Sequence, residues 1–218
     1  MSFKHHLQGL FFIPALLFAF SCTDTLESEI IVYSNDFGEL NLDGFEGARL
    51  LVFQNDTISG FYNNEEVVLT VDDLPSHNLI KVTVDIIVHD TWDGNPDDGI
   101  SGPDYWVMGL DDVELFRTTF SNSPCESTFC LYQSYPDNYT RQYVPKTGAI
   151  QTNMPGLCIF GAFDNYSTRY SISKTIEHSD GDVKIQLWDE LRGEGNPDPA
   201  CDESWSIAQI EVSTLVVN

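Results

Sequence analysis

Basic residues are scarce: ten Lys and Arg stand against 34 Asp and Glu, a formal charge of −24. The field around such a chain repels phosphate backbones and anionic headgroups, which excludes nucleic-acid binding. The chain also lacks a Gly-x-Ser-x-Gly elbow, a His-Glu-x-x-His zinc site, a phosphate loop and a Gly-x-Gly-x-x-Gly fingerprint. The usual marks of serine hydrolase, metalloprotease and nucleotide chemistry are therefore missing. No segment keeps a helical period between caps, and no apolar run beyond Phe20 is long enough to span a bilayer.

The start of the chain is distinctive. Lys4, His5 and His6 precede an apolar run from Leu10 to Phe20, too short for a permanent membrane span, and the run ends at Ser21-Cys22. That is a secretory signal. The stretch Leu17-Phe18-Ala19-Phe20-Ser21-Cys22 resembles the lipobox of bacterial lipoproteins, which implies lipidation of Cys22 and a lipid anchor in the outer membrane. Ordinary cleavage near Ser21 is the alternative. Residues 22–30 are polar and acidic and read as a tether; they resemble the surface-export signal of lipoproteins in the Bacteroidetes group, which implies display on the cell surface, with the periplasmic face as the other possibility. Residues 1–21 are then the signal peptide, and residues 31–218 have the size of one domain.

Hydrophobic residues make up 42% of the chain and aromatics 12%, enough to build a core. Strand patterns run from Ala48 to Phe53, Glu66 to Val71, Asn78 to Val88, Tyr105 to Leu110, Val113 to Thr118, Arg169 to Ile176, Val183 to Trp188 and Ser206 to Val217. Gly, Pro, Asn and Asp clusters separate them. Many short strands without intervening helices predict an all-β fold, an antiparallel two-sheet sandwich of jelly-roll-like topology. Apart from Cys22, the cysteines are Cys125, Cys130, Cys158 and Cys201, an even set for an oxidising compartment. Three pairings are open; Cys125 with Cys130 and Cys158 with Cys201 is preferred because the first two are so close in sequence.

Two stretches echo each other. One runs from His77 through a strand and an acidic loop to Asp104-Tyr105-Trp106; the other runs from His178 through a strand and residues 193–198 to Glu203-Ser204-Trp205. They read as two hairpins of one design, with the Asp93 loop and the Asp202-Glu203 loop close together at one end of the sandwich. The densest cluster of oxygen ligands is the segment holding Asp90, Asp93, Asn95, Asp97 and Asp98, closed by Asp104. Asp and Asn spaced two apart among glycines deliver oxygens to one point, as calcium requires; the other reading is an acidic turn in which Asp and Asn bond their own backbone. Trp92 in this loop offers a ring face for a sugar, with Glu203 and Tyr135 as further ligand-binding candidates, whereas Trp106, Trp188 and Trp205 read as core. The Tyr132 to Tyr139 tract either lines a shallow carbohydrate site or covers the sandwich edge. His77 and His178 read as residues that fix the start of their strands.

Leu74-Pro75-Ser76-His77, Thr91-Trp92-Asp93-Gly94-Asn95, Gly102-Pro103-Asp104-Tyr105-Trp106, Thr118-Thr119-Phe120-Ser121-Asn122, Gln133-Ser134-Tyr135-Pro136 and Asp202-Glu203-Ser204-Trp205 together resemble a set found in poorly characterised secreted β-sandwich domains of environmental bacteria and ciliate surface proteins. Here Thr91 stands for the usual serine. The resemblance implies a lectin-like or adhesion-like module with no reaction attached to it. The leading expectation is thus a noncatalytic, calcium-stabilised module that binds a glycan or a surface protein. A purely structural lipoprotein follows, and a carbohydrate-active hydrolase using two of Asp93, Asp104, Glu194, Asp202 and Glu203 comes third.

Overall fold

The computed structural model describes residues 25–193 and 198–218; the signal peptide, Cys22 and Glu194 lie outside these. Twelve strands are present among the described residues: β1 Leu26–Asn35, β2 Phe45–Glu46, β3 Leu50–Phe53, β4 Asp56–Tyr62, β5 Glu66–Val71, β6 Leu79–Asp90, β7 Tyr105–Leu110, β8 Val113–Thr119, β9 Gln151–Met154, β10 Ser167–Glu177, β11 Val183–Glu190 and β12 Glu203–Val217. They form two antiparallel sheets. The larger has the order β3-β4-β12-β6-β10-β9, with β1 also paired to β12; the smaller is β2-β5-β11-β7-β8. This is the expected jelly-roll-like two-sheet β-sandwich.

The side-chain period of two explains the core. Along β6, Ile80, Val82, Val84, Ile86 and Val88 point inward, and from the facing sheet Val183, Ile185, Leu187, Trp106 and Met108 meet them. The strands that were not expected are β1, β2, β4 and β9. The expected tether overlaps β1: from Leu26 the chain is already a strand, with Glu29 opposite Leu215 and Ile31 opposite Ser213. Both its glutamates and Leu26, Ile30 and Ile31 are exposed and only Val32 and Tyr33 pack against the core, so no inward alternation marks it in the sequence.

The echoed segments are not hairpins, as expected, but crossovers between the sheets. β6 and β12 pair in the larger sheet, β7 and β11 in the smaller. Each echo therefore starts in one sheet and ends in the other, and an approximate two-fold relates them. Equivalent residues meet: His77 Nε2 lies 2.7 Å from His178 Nδ1, the Trp106 and Trp205 rings pack edge to face at 5.9 Å, and the Asp104 and Glu203 carboxyls hydrogen-bond. The histidines mark the end of the sandwich where β6 and β11 begin, the carboxyls the end where they finish. Both expected disulfides are formed, Cys125–Cys130 with Cα atoms 4.3 Å apart and Cys158–Cys201 with 5.6 Å.

Candidate functional site

The acidic end is assembled from three chain segments. β6 delivers Asp90 directly opposite Glu203 of β12. The following loop is stitched to the β12 approach: Thr91 N–H donates to the Asp202 carbonyl at 2.9 Å, and Trp92 Nε1 donates to the Ser204 carbonyl at 2.8 Å. Gly94 then turns the chain with φ 84°, close under the Tyr132 carbonyl where a Cβ would not fit. Asp104 locks that turn, because its Oδ2 accepts the N–H groups of Asp93 at 2.8 Å and Gly94 at 3.2 Å while its Oδ1 accepts that of Arg192 at 3.3 Å. The result brings the Glu203 carboxyl within electrostatic reach of Asp93, Asp104 and Asp202, and Asp202 in turn is felt by Asp90.

This proximity is costly. Burial pushes the Asp90 carboxyl up to about 7, against the pull of the Leu157 N–H, and the Asp202 charge adds to the rise. Burial likewise lifts Asp93 to about 6, opposed by the Ser123 hydroxyl and reinforced by Asp202 and Asp98. Asp104 and Glu203 are both raised by burial, and the Asp104 charge raises Glu203 further. Three N–H donors favour the charge on Asp104, so Glu203 is the partner that keeps the proton. Two buried oxygens, Asp90 Oδ2 and Glu203 Oε2, have no hydrogen-bond partner. Among the described residues no Lys or Arg forms an ion pair with any of the five. Nor, among those residues, do three His, Cys, Asp or Glu side chains already surround one point as a finished metal site.

The expected six-residue metal set therefore divides. Asp90, Asp93 and Asp104 belong to the cluster. Asn95 does not, because its Oδ1 already accepts the Thr119 and Ser134 hydroxyls. Asp98 is an exposed turn residue: it accepts the N–H groups of Ile100 and Ser101 and the Ser101 hydroxyl, which hold it down at about 2. Asp97 is exposed on the same turn. The members missing from the expected metal set are Asp202 and Glu203; the echo in the sequence was the signal that brought them near Asp93.

The ligand-binding candidates are corrected by burial. Trp92 is 0% exposed, and its ring packs on Phe120. Loop position suggested exposure, but the Ser204 carbonyl satisfies the indole N–H and lets the ring turn inward. Tyr135 is 8% exposed, packs on Phe120 and Tyr170, and donates its hydroxyl to the Ser171 carbonyl. The tract around it covers the core, with Gln133 donating to the Tyr135 and Thr147 carbonyls. Glu203, 4% exposed, offers no open surface for a glycan either. Conversely, Trp188 is not core: it lies half-buried on the outer face of the smaller sheet, against Gly109. His89, which drew no attention in the sequence, is fully buried between the Ser167 and Ser206 hydroxyls, and burial pushes its imidazole down to about 3.

No protein-family model matches the chain, and no curated protein matches it. Solved structures with a similar fold include the C-terminal CBM6 of LamC, a marine laminarinase from Zobellia galactanivorans. It is 13% identical, with 88% of this chain and 100% of that one covered, at a TM-score of 0.34. A family 35 carbohydrate binding module from Clostridium thermocellum is 9% identical over 85% of this chain and 97% of its own, at 0.35. The carbohydrate binding module CBM6cm-2 of Cellvibrio mixtus lichenase 5A, solved with cellotriose, is 10% identical over 84% and 97%, at 0.34. At this distance the likeness concerns the β-sandwich alone.

Proposed function

We propose that the chain is a calcium-braced, noncatalytic glycan-binding module carried by an exported lipoprotein. The observation that carries the calcium is the chain of neighbouring acids Asp90, Asp202, Asp93, Asp104 and Glu203, two of which hold an unpartnered buried oxygen, with no Lys or Arg ion-paired to any of them among the described residues. Carboxylate oxygens on loops are the donors that calcium prefers. Asp90, Asp93, Asp202 and Glu203 would hold the ion, with Asp104 positioning the loop that brings Asp93 to it. Bound calcium would supply charge compensation that the protein itself lacks, and would tie the ends of β6 and β12 to the Asp93 loop.

A hydrolytic reading loses support at the same place. Asp104 and Glu203 are 0% and 4% exposed, so neither can reach a glycosidic bond. The lipoprotein part rests on the lipobox-like sequence at Cys22. Because β1 begins at Leu26, the free tether would span only about 13 Å, and the domain would lie close against the membrane surface. Cys22→Ala is expected to move the protein from the membrane to the soluble fraction; unchanged membrane association would refute the anchor.

The calcium reading is tested by melting the purified full-length protein in mild detergent, first in EDTA and then in excess calcium. A ligand bound only by the folded state at 100 times its Kd adds about 2.7 kcal/mol, which for a domain of this size raises Tm by roughly 5–11 °C. No rise would refute it.

A further inference from the structure

A second polar surface lies away from the acidic end, on the outer face of the larger sheet. The register sets it out in rows. Ser171, Asp85 and Gln209 stand side by side on β10, β6 and β12; the row below is Ser173, Thr83 and Glu211, and Arg169 beside Ile87 stands above. A bulge in β12 between Ile207 and Gln209 turns Gln209 outward while Ile207 and Ile210 both stay in the core. The β3–β4 turn and β9 rise on either side, so the face becomes a groove.

The main depression of this groove encloses about 540 Å³ over an apolar floor of Phe53, Ile58, Ile87, Met154 and Ala208. Two further depressions, of about 520 Å³ and 230 Å³, lie beside it, and Gln209 borders all three. Four amides rim the main one: Gln54, Asn55, Gln151 and Gln209. None of the four side chains hydrogen-bonds within the described protein. The acids Asp36, Asp56, Asp85 and Glu211 outnumber Arg169, which is itself paired with Asp85 at 2.8 Å.

We infer that this groove holds a neutral oligosaccharide chain. An amide both donates and accepts, as a sugar hydroxyl does, so free amides above an apolar floor match a ring with hydroxyls at its rim and C–H groups on its face. The carboxylates repel sulfated and uronic polymers. A peptide would take a sheet edge for its main-chain bonds, whereas this site is the face of the sheet. Three depressions joined at Gln209 suit a linear chain several sugars long.

The inference rests on the glycan-binding reading, and native affinity electrophoresis separates the two. The full-length protein is run with calcium in gels containing laminarin, hydroxyethylcellulose, arabinoxylan or galactomannan, and alginate or carrageenan as anionic polymers. Retardation by a neutral polymer is expected, falling at least fivefold in Gln209→Ala and in Gln151→Ala, with melting temperatures unchanged. Gln151 lies on an edge strand, so its variant guards against a disturbed bulge. Retardation that survives both substitutions would leave glycan binding standing and overturn the groove as its place. Retardation by the anionic polymers as strong as by the neutral ones would overturn the charge argument. No retardation in any gel would overturn both readings.

Discussion

The acidic end and the open sheet face spend their polar groups in opposite ways. At the acidic end the amides are consumed: Asn122 Nδ2 alone reaches the Val88, Asp90 and Tyr166 carbonyls, and its Oδ1 accepts the Thr168 hydroxyl. What stays open there is negative charge. On the sheet face the amides Gln54, Gln151 and Gln209 are free and the one guanidinium is paired. Polar groups used internally hold a fold together, and those left open are available to solvent or a ligand. The first region carries carboxyls without an ion-paired Lys or Arg among the described residues, and the second carries amides without a partner among them.

The largest expected effect that tests this contrast is the loss of the Cys158–Cys201 bridge. It closes a separation of 43 residues and fastens the 155–166 loop beside Asp202. Chain entropy gives it about 4 kcal/mol. Cys158→Ser with Cys201→Ser is expected to lower Tm by roughly 8–16 °C and to weaken the calcium response, both read by calorimetry. Next comes Asn122→Ala, which strands several buried carbonyls and should cost roughly 2–3 kcal/mol. Gln209→Ala, by the same chemical change, is expected to stay within about 0.5 kcal/mol, as at ordinary surface positions. Equal losses at the two positions would erase the distinction between a committed and an uncommitted amide.

pH separates the regions again. Asp90 and Asp93 have folded-state pKa values of about 7 and about 6, above their ordinary 3.8. A raised carboxyl contributes stability that is complete below its unfolded pKa and is lost as pH rises through the folded one. In EDTA the protein should therefore melt highest near pH 4 and progressively lower as pH rises through 7, with Glu203 extending the fall beyond it. Calcium should remove most of that fall. The smallest effect is expected at Asp98→Asn: Asp98 is an exposed turn residue, and its loss should leave the calcium response unchanged in the same melting assay.

Most strands with an inward face could be read from the sequence almost to their ends, because alternation against one core leaves a period of two; β4 could not, although Ile58 and Tyr62 are buried, since Ser59 and Gly60 interrupt its apolar pattern. β1 could not either, since most of its side chains are exposed and its two glutamates look like a tether. Part of the acidic site was legible: the echoed segments pointed to Asp93 and Glu203 meeting. Trp92 misled because an acidic Gly-rich loop suggests solvent, while a single carbonyl acceptor across the sandwich buries it. The groove left no trace. Gln54, Gln151 and Gln209 come from three distant strand regions, and only the sheet register and one bulge bring them to a common face.

The most direct test of the cation is Glu203→Gln, melted at pH 8 in EDTA and in calcium. The amide keeps the size of the side chain, mimics its protonated form and cannot ionise to bind a cation, so Tm in EDTA is expected to match or exceed that of the unaltered protein, and the rise with calcium to disappear. A Glu203→Gln protein that still gains the full rise from calcium would contradict a cation held at this cluster.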